Sequence, residues 1–255
     1  GYDPDGDSIS YELVTPMSDR NIVVPGYQLV TDINPGANNQ FTFDTNTGLF
    51  TWDSPQKEGE YNIAILVRAI FQTREFEERF LKIGMPYRIL GGTKFYERAE
   101  IKDCIANLRI VNQPKDDLSF ERIINVPKRS IGDTTIKTIY DFAKKNNCSL
   151  EIGAKKMIEL NLIKPKPKLG LNSILNLLNK WRIDLNKKNS HDKLLQIILD
   201  ESGYSQMLKD KKDLENENRL ENIKELLNAM KEFDNLESFL EHVALATSLD
   251  QDWNG

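Results

Sequence analysis

The strongest candidate for a binding site is a short basic segment whose glycine opens a helical pattern. The segment consists of Pro127, Lys128, Arg129, Ser130, Ile131, Gly132, Asp133, Thr134 and Thr135. The first amides of a helix have no partner within the helix, and the helix dipole makes that end positive. A phosphate can therefore bind there without contacts to bases. We name this segment the 127–135 turn and predict that it binds phosphate groups; a plain capped turn is the alternative.

Basic side chains in this segment and elsewhere could supply charge for such a contact. Within the turn these are Lys128 and Arg129, whose attraction to phosphate weakens as the salt concentration rises. Lys94 and Arg98 flank two aromatic residues, and such a cluster either contacts nucleic acid or packs two segments together. The lysines of Lys164-Pro165-Lys166-Pro167-Lys168 are predicted to lie in an extended, solvated break between helices.

Three aspartates near the beginning of the sequence alternate around a glycine. Asp3, Asp5 and Asp7 carry carboxylates that could converge on a calcium ion. Calcium takes about six to eight oxygen ligands, so three carboxylates in a row leave its shell incomplete. Two hypotheses therefore stand for this loop, a weak calcium site and a plain acidic turn.

No residue of the sequence is assigned to catalysis. ATP hydrolysis needs a Gly-rich loop that ends in Gly-Lys-Ser or Gly-Lys-Thr, and the chain contains no Gly-Lys pair. Leu194–Glu201 places acids after an apolar run, as a magnesium-binding strand does, but its apolar residues have helical spacing. We expect no ATP hydrolysis from this chain by itself.

Charge is distributed unevenly along the chain. The 255 residues have a formal charge of -5, but residues 1–60 contain 10 acidic residues and only two basic residues, Arg20 and Lys57. The remainder is slightly positive, so the acidic average does not argue against a nucleic-acid partner for it. No apolar run approaches the about 18 residues of a membrane-spanning helix.

Residues 1–60 have the pattern of a β structure. Short runs of alternating apolar residues are separated by clusters of Pro, Gly, Asn and Asp, which is typical of strands and turns. Phe41 and Phe43 precede Asp44–Gly48, and Phe50 and Trp52 follow it, so a hairpin is predicted there. The expected architecture is an incomplete antiparallel β-sandwich.

The rest of the chain is predicted to be mainly helical. From Thr73 onward apolar residues recur at helical spacing, for example in Glu97–Asn112 and Leu171–Leu185. Between the two patterns, Glu60–Gly92 indicates a strand, a helix and a second strand, the order of a βαβ unit. The predicted fold class is therefore α+β: an incomplete β-sandwich, a short βαβ slice and then a mainly α-helical domain.

Several long motifs resemble one enzyme family. They are "IAILVRAIFQTREFEERFLKIGMPYRILGG" at Ile63–Gly92, "DDLSFERIINVPKRSIGDTT" at Asp116–Thr135 and "LESFLEHVALATSLDQD" at Leu236–Asp252. Together they resemble superfamily 1 DNA helicases of the UvrD and PcrA type. The resemblance implies that residues 61–95 are a partial segment of the RecA-like motor domain called 2A, and that residues 96–255 are the helical 2B domain inserted in it.

The resemblance also implies partners and cofactors. In the related helicases a Gly-Ile-Gly version of the 127–135 turn contacts duplex DNA, and here Ser130 replaces the first glycine. Arg68 and Arg74 align with basic residues near the single strand, whereas Ile70 replaces the asparagine of that element. The complete helicases use ATP and Mg²⁺ to translocate 3′ to 5′ on single strands in DNA repair. The 2B part is expected to regulate that motor in the cytoplasm, together with helicase domains that this chain lacks.

Residues 1–60 resemble a different class of protein. The runs "YDPDGDSISYEL" at Tyr2–Leu13 and "FTFDTNTGLFTWDSPQKEGEYNI" at Phe41–Ile63 are similar to cadherin-like or immunoglobulin-like repeats of bacterial surface proteins. Such proteins are secreted, whereas helicases are cytoplasmic. We therefore expect a chimera of the two. A calcium-supported adhesion module and a non-functional fusion remain the alternatives to a helicase fragment.

Overall fold

A computed structural model gives the structure of the chain. It describes residues 17–19, 22–23, 41–43, 50–52, 65, 67, 70–85, 87–89, 92–187, 190–211 and 213–248. The chain divides into two compact units, Gly1–Leu66 and Val67–Gly255.

The described residues of the first unit form two antiparallel strand pairs. Strand β1 (Met17–Asp19) pairs with β2 (Ile22–Val23), and β3 (Phe41–Phe43) pairs with β4 (Phe50–Trp52). In the second pair Phe41 lies opposite Trp52 and Phe43 opposite Phe50, which confirms the predicted hairpin. Its turn, Asp44–Gly48, lies outside the described residues.

The predicted fold class, an α+β arrangement with a β-sandwich and a βαβ slice, is wrong. The described strands are two or three residues long and pair only two by two, which does not make a sandwich. Residues 65, 67, 85 and 87–89, on either side of the helix at Thr73–Lys82, are not in strands. An apolar run becomes a strand only where a neighbouring strand satisfies its main-chain groups, and the sequence pattern does not contain that information.

The described part of the second unit is helical. Its α-helices are α1 (Thr73–Lys82), α2 (Ala99–Asn112), α3 (Asp117–Ile123), α4 (Asp133–Lys145), α5 (Leu150–Glu159), α6 (Pro165–Asn186), α7 (His191–Glu201), α8 (Tyr204–Asp210), α9 (Leu214–Met230) and α10 (Leu236–Ser248). Short 3-10 turns at Ile70–Gln72 and Phe95–Glu97 precede α1 and α2. None of the helices in the described ranges is long and apolar enough to cross a membrane.

Helices α2 and α6 lie at the centre of the helical core. Their apolar faces are buried, as the helical spacing predicted, and Leu108 and Trp181 are fully enclosed. The indole nitrogen of Trp181 donates a hydrogen bond of 2.9 Å to Glu201 at the end of α7. This contact satisfies the polar atom of the largest buried side chain and joins α6 to α7.

The predicted extended break at residues 164–168 is wrong. Helix α6 begins at Pro165, and only Lys164, at its N-cap, has extended backbone. Proline is tolerated in the first turn of a helix because the amides of that turn have no partner within the helix. Its fixed φ is also close to the helical value, so Pro165 starts the helix.

A buried group of charged and polar side chains connects α1 with α9. Arg74, 4 % exposed, lies 2.8 Å from the carboxylate of Glu78 and 2.5 Å from that of Glu225. Arg98, 6 % exposed, donates a 2.9 Å hydrogen bond to the side-chain oxygen of Asn222. We call these five residues the Arg74–Arg98 cluster. Because both guanidinium groups are buried, the carboxylates and amide beside them are required to offset the loss of water.

Removal of Arg74 is expected to be costly. The change Arg74→Met leaves the buried carboxylate of Glu78 and the partly buried carboxylate of Glu225 without their cation and should lower the free energy of unfolding by about 3 kcal/mol. The matched control, Lys224→Met, removes a lysine from an exposed ion pair with Glu221 and should cost less than about 0.5 kcal/mol. Urea denaturation measures both, and equal losses in the two variants would contradict the role given to the cluster.

A second buried carboxylate makes stability depend on pH. Glu151, 2 % exposed, accepts hydrogen bonds of 2.7 and 2.6 Å from the guanidinium of Arg182 and one of 2.6 Å from Lys155. Burial alone raises the pKa of Glu151, but the bonds from Arg182 and Lys155 outweigh it and hold that pKa below its ordinary value.

A carboxyl whose pKa is lowered by folding stabilises the fold above its ordinary pKa, and this contribution is lost as the pH falls through the lowered pKa. The change Glu151→Gln should therefore destabilise the chain at neutral pH. The difference from the parent chain should shrink as the pH falls from roughly 5 to 3. Urea denaturation along a pH series measures the difference, and a constant value would show that ionised Glu151 is not responsible.

Candidate nucleic-acid interface

The 127–135 turn is held from within by one amide side chain. The side-chain oxygen of Asn125 accepts hydrogen bonds from the main-chain N–H of Arg129 at 2.7 Å and of Ile131 at 3.3 Å. The side chain of Ile131 is fully buried and anchors the turn in the core. Asn125 was not identified from the sequence, although asparagine commonly binds main-chain amides in turns.

Ser130 has a backbone conformation that favours glycine. Its φ is 61°, in the left-handed region, and its side chain is exposed. A side chain in this region costs about 1 kcal/mol. Glycine adopts this conformation without that cost, so Ser130 occupies a position that suits glycine.

Gly132 leaves the start of α4 open. It is the N-cap residue, and α4 therefore begins without a side chain that covers its first amides. A Cβ placed on Gly132 would have no atom of the protein within 4 Å. Asp133 and Thr134, the next two residues, are exposed. The unpartnered amides at this helix end therefore face a space that an anion could enter.

The two basic side chains of the turn point in different directions. Lys128 is exposed. The guanidinium of Arg129 is directed into the protein, where it donates to the carbonyls of Ile123 at 2.9 Å, of Ile124 and Ser202 at 3.3 Å, and of Pro127 at 3.2 Å. Burial lowers the pKa of Arg129 to about 10, so the group stays charged at neutral pH. Of the two cations that were predicted to attract phosphate, only Lys128 points outward.

Helix α6 packs directly against the backbone of the turn at Arg129. A Cβ on Gly170 would lie 2.1 Å from the carbonyl oxygen of Arg129, so any side chain there would collide with the turn. The sequence offers one signal for this contact, because an isolated glycine inside a helical pattern often marks close packing. The turn is thus positioned by Asn125 and Arg129 from its own segment and by Gly170 from α6.

The other basic residues that were predicted to contact DNA are less accessible to it or lie outside the described residues. Arg74 and Arg98 are buried in the Arg74–Arg98 cluster, where protein groups take their hydrogen bonds. Lys94 lies over the ring of Tyr87 at 4.9 Å, a cation–π contact, and so favours the packing alternative for this part of the chain. Arg68 lies outside the described residues.

The calcium hypothesis also concerns residues that the structure does not describe, since Asp3, Asp5 and Asp7 all belong to the undescribed N-terminal stretch. Within the described ranges, no group of three or more His, Cys, Asp and Glu side chains could hold a metal ion.

A separate open depression lies where α2 and α6 end and α7 and α10 begin. Its walls contain Arg182 and Lys231 but also Asp192, Asp234 and Glu237. Because charges of both signs face it, its surface does not complement a polyanion as the 127–135 turn does.

Comparison with known proteins shows one consistent similarity. Residues 47–254 match the family described as the UvrD-like helicase C-terminal domain. A probable DNA helicase II homolog from Rickettsia felis is 43% identical over 199 residues, which cover 76% of this chain and 30% of that protein. The ATP-dependent DNA helicase PcrA of Bacillus subtilis is 40% identical over 196 residues, 74% of this chain and 26% of that protein. The chain thus spans less than a third of the length of these relatives.

The family match includes some residues that were predicted to belong to the N-terminal β part. It begins at residue 47, before residue 61, where the resemblance predicted the helicase part to start. The predicted surface-repeat resemblance and the predicted chimera receive no support from these similarities.

The close approach of α6 to the turn predicts the effect of filling Gly170. The change Gly170→Ala should destabilise the chain by about 1–3 kcal/mol, because the new methyl group displaces the Arg129 carbonyl. This loss should appear although alanine is the better helix former. Gly153→Ala is the matched control, since its Cβ would lie 3.1 Å from the side chain of Ala143 and should cost less. Thermal unfolding compares the two, and a Gly170→Ala variant as stable as the parent would exclude the contact.

Proposed function

This chain belongs to the UvrD-like helicase family, and from that premise we propose that its helical part contacts duplex DNA through the 127–135 turn. In this proposal residues 96–255 act as a 2B domain, which regulates an ATP-driven motor that moves 3′ to 5′ on single-stranded DNA. Residues 61–95 contribute a segment of the 2A motor domain. In this proposal the chain binds DNA in the cytoplasm and takes part in DNA repair.

The observation that supports duplex contact is the open start of α4 beside an exposed lysine. Gly132 leaves the first amides of the helix uncovered, and the side chain of Lys128 is exposed. Asp133 carries an opposing charge at the same helix end. Attraction therefore has to come from Lys128 and the main-chain amides, which suits a phosphate and gives no means of distinguishing one base from another.

The aromatic residues between Lys94 and Arg98 are not placed to stack on the bases of a single strand. Single-strand binding uses exposed aromatic side chains on which bases stack. Phe95 and Tyr96, the aromatic residues between Lys94 and Arg98, are both buried. We therefore assign single-strand contacts, like the binding of ATP and Mg²⁺, to the motor parts of a complete helicase.

ATP and Mg²⁺ do not fit the residues of this chain. The sequence contains no Gly-Lys pair that could serve in a phosphate loop, and the described ranges offer no metal-ligating cluster. No step of the proposed role therefore passes through either group. The role of the chain is to bind, and the chemistry belongs to the motor.

Filling the space in front of Gly132 tests the proposed contact. The change Gly132→Ala adds a methyl group that meets no protein atom but stands where a phosphate would approach the amides. We expect the affinity for a 20-base-pair duplex with a single-stranded tail to fall about tenfold, the effect of losing one charge-assisted hydrogen bond. Fluorescence anisotropy at low salt measures the affinity.

Alanine is a poorer N-cap than glycine, so the control must match that loss of stability. Ser149→Ala removes the N-cap side chain of α5, which accepts a 3.5 Å hydrogen bond from Ile152. It should lower thermal stability by a similar amount and leave the duplex affinity unchanged. If both variants bind the duplex as the parent does, the 127–135 turn is not the contact.

A further inference from the structure

The carbonyl groups that hold Arg129 come from two separate segments of the chain. One guanidinium nitrogen donates to the carbonyl of Ile123 at the end of α3 at 2.9 Å, and another donates to that of Ser202 between α7 and α8 at 3.3 Å. Both nitrogens belong to one planar group, so the two carbonyls must keep a nearly fixed separation. The bond to Ser202 is already long, and an increase of about 0.5 Å would break it.

One carboxylate links the same two segments a second time. Asp103 of α2 accepts a hydrogen bond of 2.8 Å from the hydroxyl of Tyr204 at one oxygen and one of 2.7 Å from the guanidinium of Arg122 at the other. Arg122 lies next to Ile123 in α3, and Tyr204 begins α8, two residues after Ser202. The hydrogen bonds and the short stretches of chain between them therefore form a closed network. We call it the Asp103 network, and its members are Arg129, Ile123, Arg122, Asp103, Tyr204 and Ser202.

Tyr204 belongs to the interior of the helical unit. It is 2 % exposed, and burial together with the Asp103 carboxylate raises the pKa of its hydroxyl above the ordinary value. The hydroxyl therefore keeps its proton and donates it to Asp103. The main-chain N–H of Tyr204 also donates to the side-chain oxygen of Ser202 at 3.3 Å. A displacement of Tyr204 thus acts directly on the residue whose carbonyl holds Arg129.

We propose that Asp103 and Tyr204 are positioning residues of the duplex-binding interface. They set the distance between the carbonyls that hold Arg129 and so keep the 127–135 turn in the conformation that binds DNA. Neither residue contacts a phosphate itself. This inference rests on the proposed duplex contact, and it adds α2 and α8 to the elements on which that contact depends.

The change Tyr204→Phe in the full 255-residue chain tests the proposal, because it removes the hydroxyl and keeps the aromatic side chain that fills the core. Without DNA, the amides of Arg129 and Ile131, which donate to Asn125, should exchange with solvent at least about tenfold faster, since a hydrogen bond to a charged group is lost. Hydrogen exchange followed by NMR measures these rates.

The same variant should bind the tailed duplex more weakly. If the turn then holds its binding conformation only about a third of the time, the affinity falls about threefold. The slope of log affinity against log salt concentration should stay as in the parent chain, because the number of phosphate contacts is the same. Fluorescence anisotropy over a salt series measures both quantities.

Tyr96→Phe is the matched control. The Tyr96 hydroxyl is also buried and donates a 3.0 Å hydrogen bond to the carboxylate of Glu78, but that carboxylate belongs to the Arg74–Arg98 cluster and not to the Asp103 network. This variant should change neither the exchange of the turn amides nor the duplex affinity.

The Arg129→Lys background distinguishes positioning from a general loss of stability. A lysine keeps the charge but lacks the planar group that joins the two segments. Tyr204→Phe should therefore lower the duplex affinity no further in this background, whereas a general destabilisation would lower it by the same factor in both backgrounds.

The outcomes separate this inference from the function on which it rests. If Gly132→Ala weakens duplex binding but Tyr204→Phe keeps the exchange rates or the affinity of the parent chain, the duplex contact stands and the positioning role is overturned. Equal effects of Tyr204→Phe and Tyr96→Phe, or a smaller salt slope in Tyr204→Phe, also overturn it. A parent chain without measurable duplex binding overturns both proposals.

Discussion

The guanidinium group of Arg129 is the interaction on which the candidate interface depends. It binds carbonyls from the end of α3, from the turn itself and from Ser202 after α7. The last carbonyls of a helix have no partner within it, so one charged group satisfies acceptors that would otherwise require water. In doing so it fixes three segments relative to one another. The partly buried guanidinium thus holds the segment that leads into α4.

The sequence predicted the helices around the candidate interface better than the direction of its side chains. The apolar spacing of α2 and α6 and the glycine turn before α4 are local signals, and the structure confirms the helices that they predicted. One of the four carbonyls that accept from Arg129 belongs to Ser202, 73 residues further along the chain, and the local pattern does not indicate that contact. The contact of Gly170 is also not indicated by its own helix, because it is made with the Arg129 carbonyl of the turn.

The predicted β-sandwich and βαβ unit were wrong because such sheets need partner strands from distant parts of the sequence. The hairpin between Phe41–Phe43 and Phe50–Trp52 is local, and the pattern was sufficient to predict it. A sandwich or a parallel βαβ unit needs several strands in register, which an apolar run alone does not specify. The start of α6 at Pro165 was missed for a different reason, since Lys-Pro repeats favour extended backbone except in the first turn of a helix.

The Arg74–Arg98 cluster has a mechanical consequence. Separating Arg74 of α1 from Glu225 of α9 would leave a buried guanidinium group without one of its charged partners, which is costly. A small force on α1 therefore does not stretch this joint but moves α9 with it as one body. In a motor protein, such a joint transmits displacement without absorbing it.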